Sequence, residues 1–213
     1  MCYNSKLRFI TSLFLCAGLS ALFFYCPPIY FSILIVVLMC GMLIELKNMV
    51  PSLIKLLLLA PLYPITPCLI LIYFNQSPEY RHLLFYLFII VFTFDTACYL
   101  TGTLCSKFWT THKIIPSISP GKSWEGFFGG LITITILLFF ITQQNHVISS
   151  LHIFMLSLTI CTIAFAGDIF ESYLKRSAGI KDSGTMLPGH GGLLDRFDAI
   201  LFVSYFFFIH RIL

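Results

Sequence analysis

Apolar runs close to the roughly 18–20 residues that cross a hydrocarbon core recur along the whole chain, and they leave few folds open. In lipid, every backbone N–H and C=O must be satisfied within the protein, so such runs become spanning helices. Seven are expected: a run after Lys6 and Arg8 to Tyr25, then 29–44, 56–74, 82 to about 101, 126–142, 151–170 and a shorter one at 197–213. Hydrophobic residues are 58% of the chain and charged ones only 10%, which excludes a soluble globular enzyme. The expectation is an all-α polytopic transmembrane helical bundle. It forms one integral-membrane domain over 1–213, with N-terminal helices in 1–81 and a catalytic half in 82–213.

Local chemistry refines these spans. Lys6 and Arg8 before an apolar run resemble the basic start of a signal peptide, but the run is long and further spans follow at once, so an uncleaved first helix is expected. The run at 56–74 carries Pro61, Pro64 and Pro67 and must be kinked or partly unwound. Glu45, Lys47 and Lys55 read as a polar return between spans, and Gly102 to Glu125 as a polar, basic loop. The eight cysteines contain no CxxC, and Cys16, Cys40, Cys68, Cys98 and Cys161 fall inside apolar runs, so neither a metal knuckle nor a disulfide framework is indicated.

The loop charges give an orientation. With seven spans and the N-terminus in the cytoplasm, eleven of the thirteen Lys and Arg residues lie on the cytoplasmic side, leaving Arg81 and Arg211 on the other. The same arrangement puts Asp95, the 102–125 loop and the 167–199 stretch on the cytoplasmic face.

Residues 167–199 hold five of the nine acids (Asp168, Glu171, Asp182, Asp195, Asp198) together with Lys175, Arg176, Lys181 and Arg196. A carboxylate at mid-bilayer costs about 2.5–3.5 kcal/mol on insertion scales, so acids kept in spans serve chemistry or transport. Asp168, Glu171, Ser172 and Lys175 share one helical face, and Asp195 and Asp198 are three apart at the mouth of the last span. Two such carboxylate pairs are a plausible oxygen site for Mg2+, which takes a few carboxylates plus substrate phosphates. The competing reading is a set of salt bridges to Lys175, Arg176 and Arg196.

Three shorter motifs accompany the cluster. Pro188-Gly189-His190-Gly191-Gly192 precedes the last span and reads either as an ordinary Gly-rich turn or as a backbone that can approach a phosphate, with His190 best read as a donor to it and otherwise a metal ligand or a plain loop residue. Ser119-Pro120-Gly121-Lys122-Ser123 opens the fifth span as a helix-start signal. Its Gly-Lys-Ser is not a P-loop: position 116 is Pro and no strand precedes it. Gly126, Gly129 and Gly130 suit close helix packing, and Asp95, inside the fourth span, requires a cation or basic partner.

From Ser172 through Lys175-Arg176, Lys181-Asp182 and Leu187-Pro188-Gly189-His190-Gly191-Gly192 to Asp195-Arg196-Phe197-Asp198, the chain closely resembles the phosphatidate cytidylyltransferases (CDP-diacylglycerol synthases), without a gap over 27 residues. Ser119-Pro120 with Lys122, Ser123, Glu125 and Gly126, and Asp95-Thr96-Ala97, resemble upstream motifs of that family. The resemblance implies a Mg2+-dependent reaction of CTP with phosphatidate giving CDP-diacylglycerol and pyrophosphate. It implies Asp168, Asp195 and Asp95 as metal residues, and Asp168, Asp195, Asp198, Lys175 and Arg176 as catalytic. Lys122, Ser123, Lys181, Asp182, His190, Gly191, Gly192 and Arg196 are the implied substrate contacts. CTP, phosphatidate and the bilayer are the partners, with no nucleic acid; a homodimer is allowed. A bacterial inner membrane with the active site facing the cytoplasm is expected.

Other classes fit less well. A cation-coupled transporter predicts paired acids near the bilayer midplane and inverted repeats, whereas these acids crowd one face and no repeat is seen. A CTP-dependent polyprenol or phytol kinase also needs a cytoplasmic phosphate site, but the unbroken Lys-Arg to Asp-Arg-Phe-Asp motif argues against it. The Asp-Gly-x-x-Ala-Arg pattern of CDP-alcohol phosphotransferases is absent.

Overall fold

The computed structural model describes residues 18, 20–142, 149–186 and 191–210. Six helices make up almost all of it: α1 (Pro28–Met49), α2 (Leu53–Gln76), α3 (Arg81–Phe108), α4 (Trp124–Thr142), α5 (Ser150–Ser177) and α6 (Leu194–His210). A two-stranded hairpin, β1 (Lys113–Ile115) and β2 (Ser119–Ser123), joins α3 to α4. The chain is an all-α membrane protein in all but this hairpin.

Among the described residues, α1 to α5 are the helices long and apolar enough to cross a membrane. The expected first span falls mostly outside the described residues, with 20–25 helical, and α6 has 17 residues. Large apolar side chains such as Val37, Leu58, Phe92, Ile132 and Met155 remain exposed along the helices, as lipid contact requires. Inside, Met42, Leu46, Phe74, Leu84, Ile134, Leu138 and Phe207 form a continuous core.

Neighbouring helices pack closely where side chains are small. Gly126 and Gly130 bring α4 against α3, since a Cβ at either would clash with Cys98 or Phe94. At the far end, Asn75 donates to Pro28 O at 2.6 Å and to Ser32 Oγ at 2.9 Å, tying α2 to α1.

The proline-rich span stays continuous by changing its winding. Pro61–Ile65 forms a π-turn in which the Thr66 N–H reaches back five residues to Pro61 O. In that register Leu62 O would be served by residue 67, which is a proline without an N–H. The Tyr205 hydroxyl of α6 donates to Leu62 O instead, at 2.6 Å.

Several boundaries differ from expectation: α1 runs to Met49 rather than 44, and α5 to Ser177 rather than 170. The helix expected to end near 101 continues to Phe108, so the polar connection is shorter than 102–125. Ser119-Pro120 does not open a helix but begins a strand. Lys113 pairs with Ser123 and Ile115 with Ser119, so three residues, Pro120 to Lys122, lie opposite Ile114 in a bulge. The helix start moves to Ser123, whose Oγ accepts the Gly126 N–H at 3.2 Å as an N-cap.

Tyr205→Phe leaves Leu62 O without a donor in an apolar surround. It is expected to lower stability by about 1 kcal/mol, the scale of an interhelical hydrogen bond in membranes. Equilibrium unfolding in mixed micelles measures this; an unchanged midpoint would remove the hydroxyl from the account of the π-turn.

Candidate active site

The helices alternate in direction, so the ends of α1, α3 and α5 and the starts of α4 and α6 meet at one end of the bundle, together with the hairpin. The charged residues singled out in the sequence gather there in two connected groups.

The first group lies on the α5–α6 seam. Gly167 lets α6 approach until a Cβ there would stand 2.7 Å from Asp198 O. This contact sets the Asp198 carboxyl, which is buried, beside that of Asp168 one residue further along α5. Lys122 comes from the hairpin bulge to form an ion pair with Asp168, and its ammonium lies 4.7 Å from the centre of the Phe165 ring. Asp95, from α3, is exposed and within electrostatic reach of Asp168, Lys122 and Arg196.

One turn further along α5 is the second group. Lys175 Nζ lies 2.5 Å from Glu171 Oε2 and 2.6 Å from Asp195 Oδ1, between two carboxylates. Asp195 Oδ2 accepts the Ser183 N–H at 3.0 Å and the Gly192 N–H at 2.8 Å. Gly191 makes the turn before it with φ +85°, where a side chain would be strained and its Cβ would press on Asp195 Oδ2 at 2.9 Å.

The remaining expected residues are spread around these groups. Arg176 is exposed and braces the hairpin, donating to Ile118 O at 3.2 Å and to Ile180 O at 3.1 Å. Lys181 and Asp182 are exposed on the segment after α5, and Arg196 is exposed on the first turn of α6. His190 lies outside the described residues. Ser123 is buried, and its hydroxyl accepts the Gly126 N–H as the α4 cap. Lys175, expected to be catalytic, stands between two carboxylates and fixes one oxygen of Asp195.

Three residues at the site were not assigned to it from the sequence. Glu171 was visible on the Asp168 face, but its full burial against Lys175 was not. Glu45 is not a polar return: it is 2% exposed and accepts hydrogen bonds from Ser183 Oγ (3.0 Å), Leu193 N (2.9 Å) and Leu194 N (2.9 Å). The available signal was an acid within an apolar run, the first acid in the chain. Tyr63, in the π-turn, is buried against Phe170 and Phe202 and lies within electrostatic reach of Asp168, Glu171, Asp195 and Asp198. Its hydroxyl has no hydrogen-bond partner among the described residues.

Comparison with known proteins places this geometry in context. A model of the cytidylyltransferase family matches residues 52–213. The chain is 32% identical over 216 residues to a phosphatidate cytidylyltransferase of Rickettsia conorii, covering 98% of this chain and 92% of that one. It is 42% identical over 135 residues to one of Haemophilus influenzae, covering 59% and 46%, and 43% identical over 134 residues to one of Staphylococcus epidermidis, covering 62% and 49%. The match thus spans nearly all of the Rickettsia relative and about half the length of the other two.

Lys175→Met leaves Glu171 and Asp195 facing each other with no cation between them. Loss of one partner from a buried ion pair costs about 3–5 kcal/mol, so a large fall in thermal stability is expected. Adding Glu171→Gln is expected to restore part of it; a double variant no more stable than Lys175→Met would show that the two carboxylates do not share the lysine energetically.

Proposed function

Because the chain belongs to the cytidylyltransferase family, we propose that it joins CTP to phosphatidate, giving CDP-diacylglycerol and pyrophosphate. The observation that carries this reading is the Asp168–Asp198 pair on the α5–α6 seam, with Lys122 delivered to it from the hairpin. An oxygen of the phosphatidate phosphate forms a bond to the α-phosphorus of CTP. The bond from that phosphorus to the bridging oxygen breaks, and pyrophosphate leaves with the electron pair. The nucleophile is already ionised near pH 7, so no general base is required. Such a transfer depends on positioning and charge neutralisation.

Among the described residues no three acids stand together as a metal-binding group, so a Mg2+ ion here would rest on a pair of carboxylates plus substrate phosphates. Asp95, Asp168, Glu171, Asp195 and Asp198 bring five carboxylates to one region, and Lys122 and Lys175 are the lysines paired within it. Carboxylate oxygens close to where substrate phosphates would sit suit a hard divalent ion. Asp168 and Asp198 would hold it, with Asp95 and Asp195 in support; when bound, it would neutralise charge on the phosphate oxygens.

The chain's own residues do the rest. Lys122 exchanges its Asp168 partner for phosphate, while Phe165 keeps the ammonium in place. Arg196 and Lys181, exposed at the same end, bind further phosphate oxygens, Arg196 in bidentate fashion. Asp195 stays fixed by Lys175 and the Ser183 and Gly192 N–H groups, which holds the Gly191-Gly192 turn in place. The eleven-to-two distribution of Lys and Arg supports placing this end in the cytoplasm, where CTP is, with the bundle in a bacterial inner membrane.

Purified protein in mixed micelles, given phosphatidate and each of the four nucleoside triphosphates, is expected to release pyrophosphate with CTP alone. Release with none of them would overturn the reading. Chelation of divalent ions is expected to stop release and Mg2+ to restore it. Asp168→Asn is expected to lower kcat about 10²-fold or more at saturating CTP and Mg2+; full retained rate would remove Asp168 from the site.

A further inference from the structure

The backbone that leads into α6 and holds Asp195 is itself held from outside by a residue the reaction does not call for. Glu45 stands one turn before the end of α1, and both of its carboxylate oxygens are used. Oε1 accepts the Leu193 N–H, and Oε2 accepts the Leu194 N–H and the Ser183 hydroxyl. Leu193 and Leu194 carry the first N–H groups of α6, which no helical carbonyl can satisfy, and their partial positive charge favours an anion. Ser183 meets both carboxylates at once: its hydroxyl goes to Glu45 and its N–H to Asp195.

The surrounding backbone is shaped to admit this side chain. A Cβ at Gly184 would collide with the Glu45 carboxylate, and one at Gly192 would collide with the Ser183 hydroxyl that Glu45 binds and stand 2.7 Å from Glu45 Oε2. Gly192 is also the residue whose N–H holds Asp195. The glycine that resembles a phosphate-binding element is therefore required, independently, by the approach of Glu45.

We propose that Glu45 is a positioning residue for the transfer reaction: from α1, it sets the backbone of Ser183 and 192–194, and through that backbone the orientation of Asp195. It touches no substrate. The inference rests on the cytidylyl-transfer reading for its kinetic consequence, but its structural half is independent of that reading.

The decisive variant is Glu45→Gln, which has one acceptor oxygen and turns an NH2 group toward N–H donors. In the full-length protein, kcat for CTP and phosphatidate is expected to fall about 10- to 100-fold, the scale of a small misplacement in a site that works by orientation. In an Asp195→Asn background the same change is expected to have little further effect, because both act through one carboxylate. A merely structural role would instead lower the rate by the same factor in both backgrounds, and that result overturns the proposal. So does a wild-type kcat for Glu45→Gln.

Amide hydrogen exchange provides the arm that needs no activity. Glu45→Gln is expected to speed exchange at Ser183 and Gly192, whose partner is Asp195 rather than Glu45, while the α3–α4 amides stay protected. Unchanged protection at Ser183 and Gly192 overturns the proposal even if the enzyme is impaired. Should the wild-type protein release no pyrophosphate, the functional reading fails while exchange still decides the positional one. Ser183→Ala, which removes one of the three donors, is expected to give the same pattern at smaller amplitude. If Glu45→Gln does not fold, wild-type kcat and exchange in Ser183→Ala overturn the proposal.

Discussion

Two carboxylates hold the N–H groups of Ser183, Gly192, Leu193 and Leu194 where the chain enters α6. Asp195 binds this backbone from within, through Ser183 N and Gly192 N; Glu45 binds it from 138 to 149 positions earlier in the chain. Each is an anion on backbone N–H donors, the type of hydrogen bond that strengthens with charge. A glycine-rich loop without these anchors would carry a large conformational entropy and no fixed geometry. Everything chemical at this end of the bundle requires that loop to be in one place.

Bringing five carboxylates to the end of an apolar bundle is costly, and the structure offsets the cost by local devices. Lys175 is shared between Glu171 and Asp195, and Lys122 is brought across from a separate element to Asp168. The hairpin bulge has a reason here: three residues opposite one change the aim of a side chain, and Lys122 is one of them. Arg176 then ties the hairpin to the end of α5.

The proline-rich span shows the same economy. A wider turn keeps α2 continuous through Pro61 and Pro64, and one hydroxyl from α6 takes the carbonyl that Pro67 cannot serve. The π-turn also presents Tyr63 toward the α5 and α6 acids. A deformation that begins as a backbone problem thereby contributes a polar side chain to the neighbourhood of the site.

Much of this was legible in the amino-acid order. Span length and apolarity are local properties, so an all-α membrane bundle followed directly, as did the helices at 28–49, 81–108, 124–142 and 150–177 to within a few residues at most ends. The acids at 168, 195 and 198 stood out because charge in an apolar run has few inexpensive explanations. Other features depended on contacts between distant residues. Ser119-Pro120 carries a local helix signal, yet pairing with β1 made it a strand, and the true cap is Ser123. The Lys175–Asp195 pair was open only as the competing salt-bridge reading, because its distance is set by the α5–α6 seam, which Gly167 closes. Glu45 reads in sequence as the polar end of a span; only the fold brings the start of α6 to it. Composition and period determined what the chain is made of and where it sits, because each helix satisfies its own backbone. Which charges meet was decided by tertiary packing, because a carboxylate acquires its role from donors that lie elsewhere in the chain.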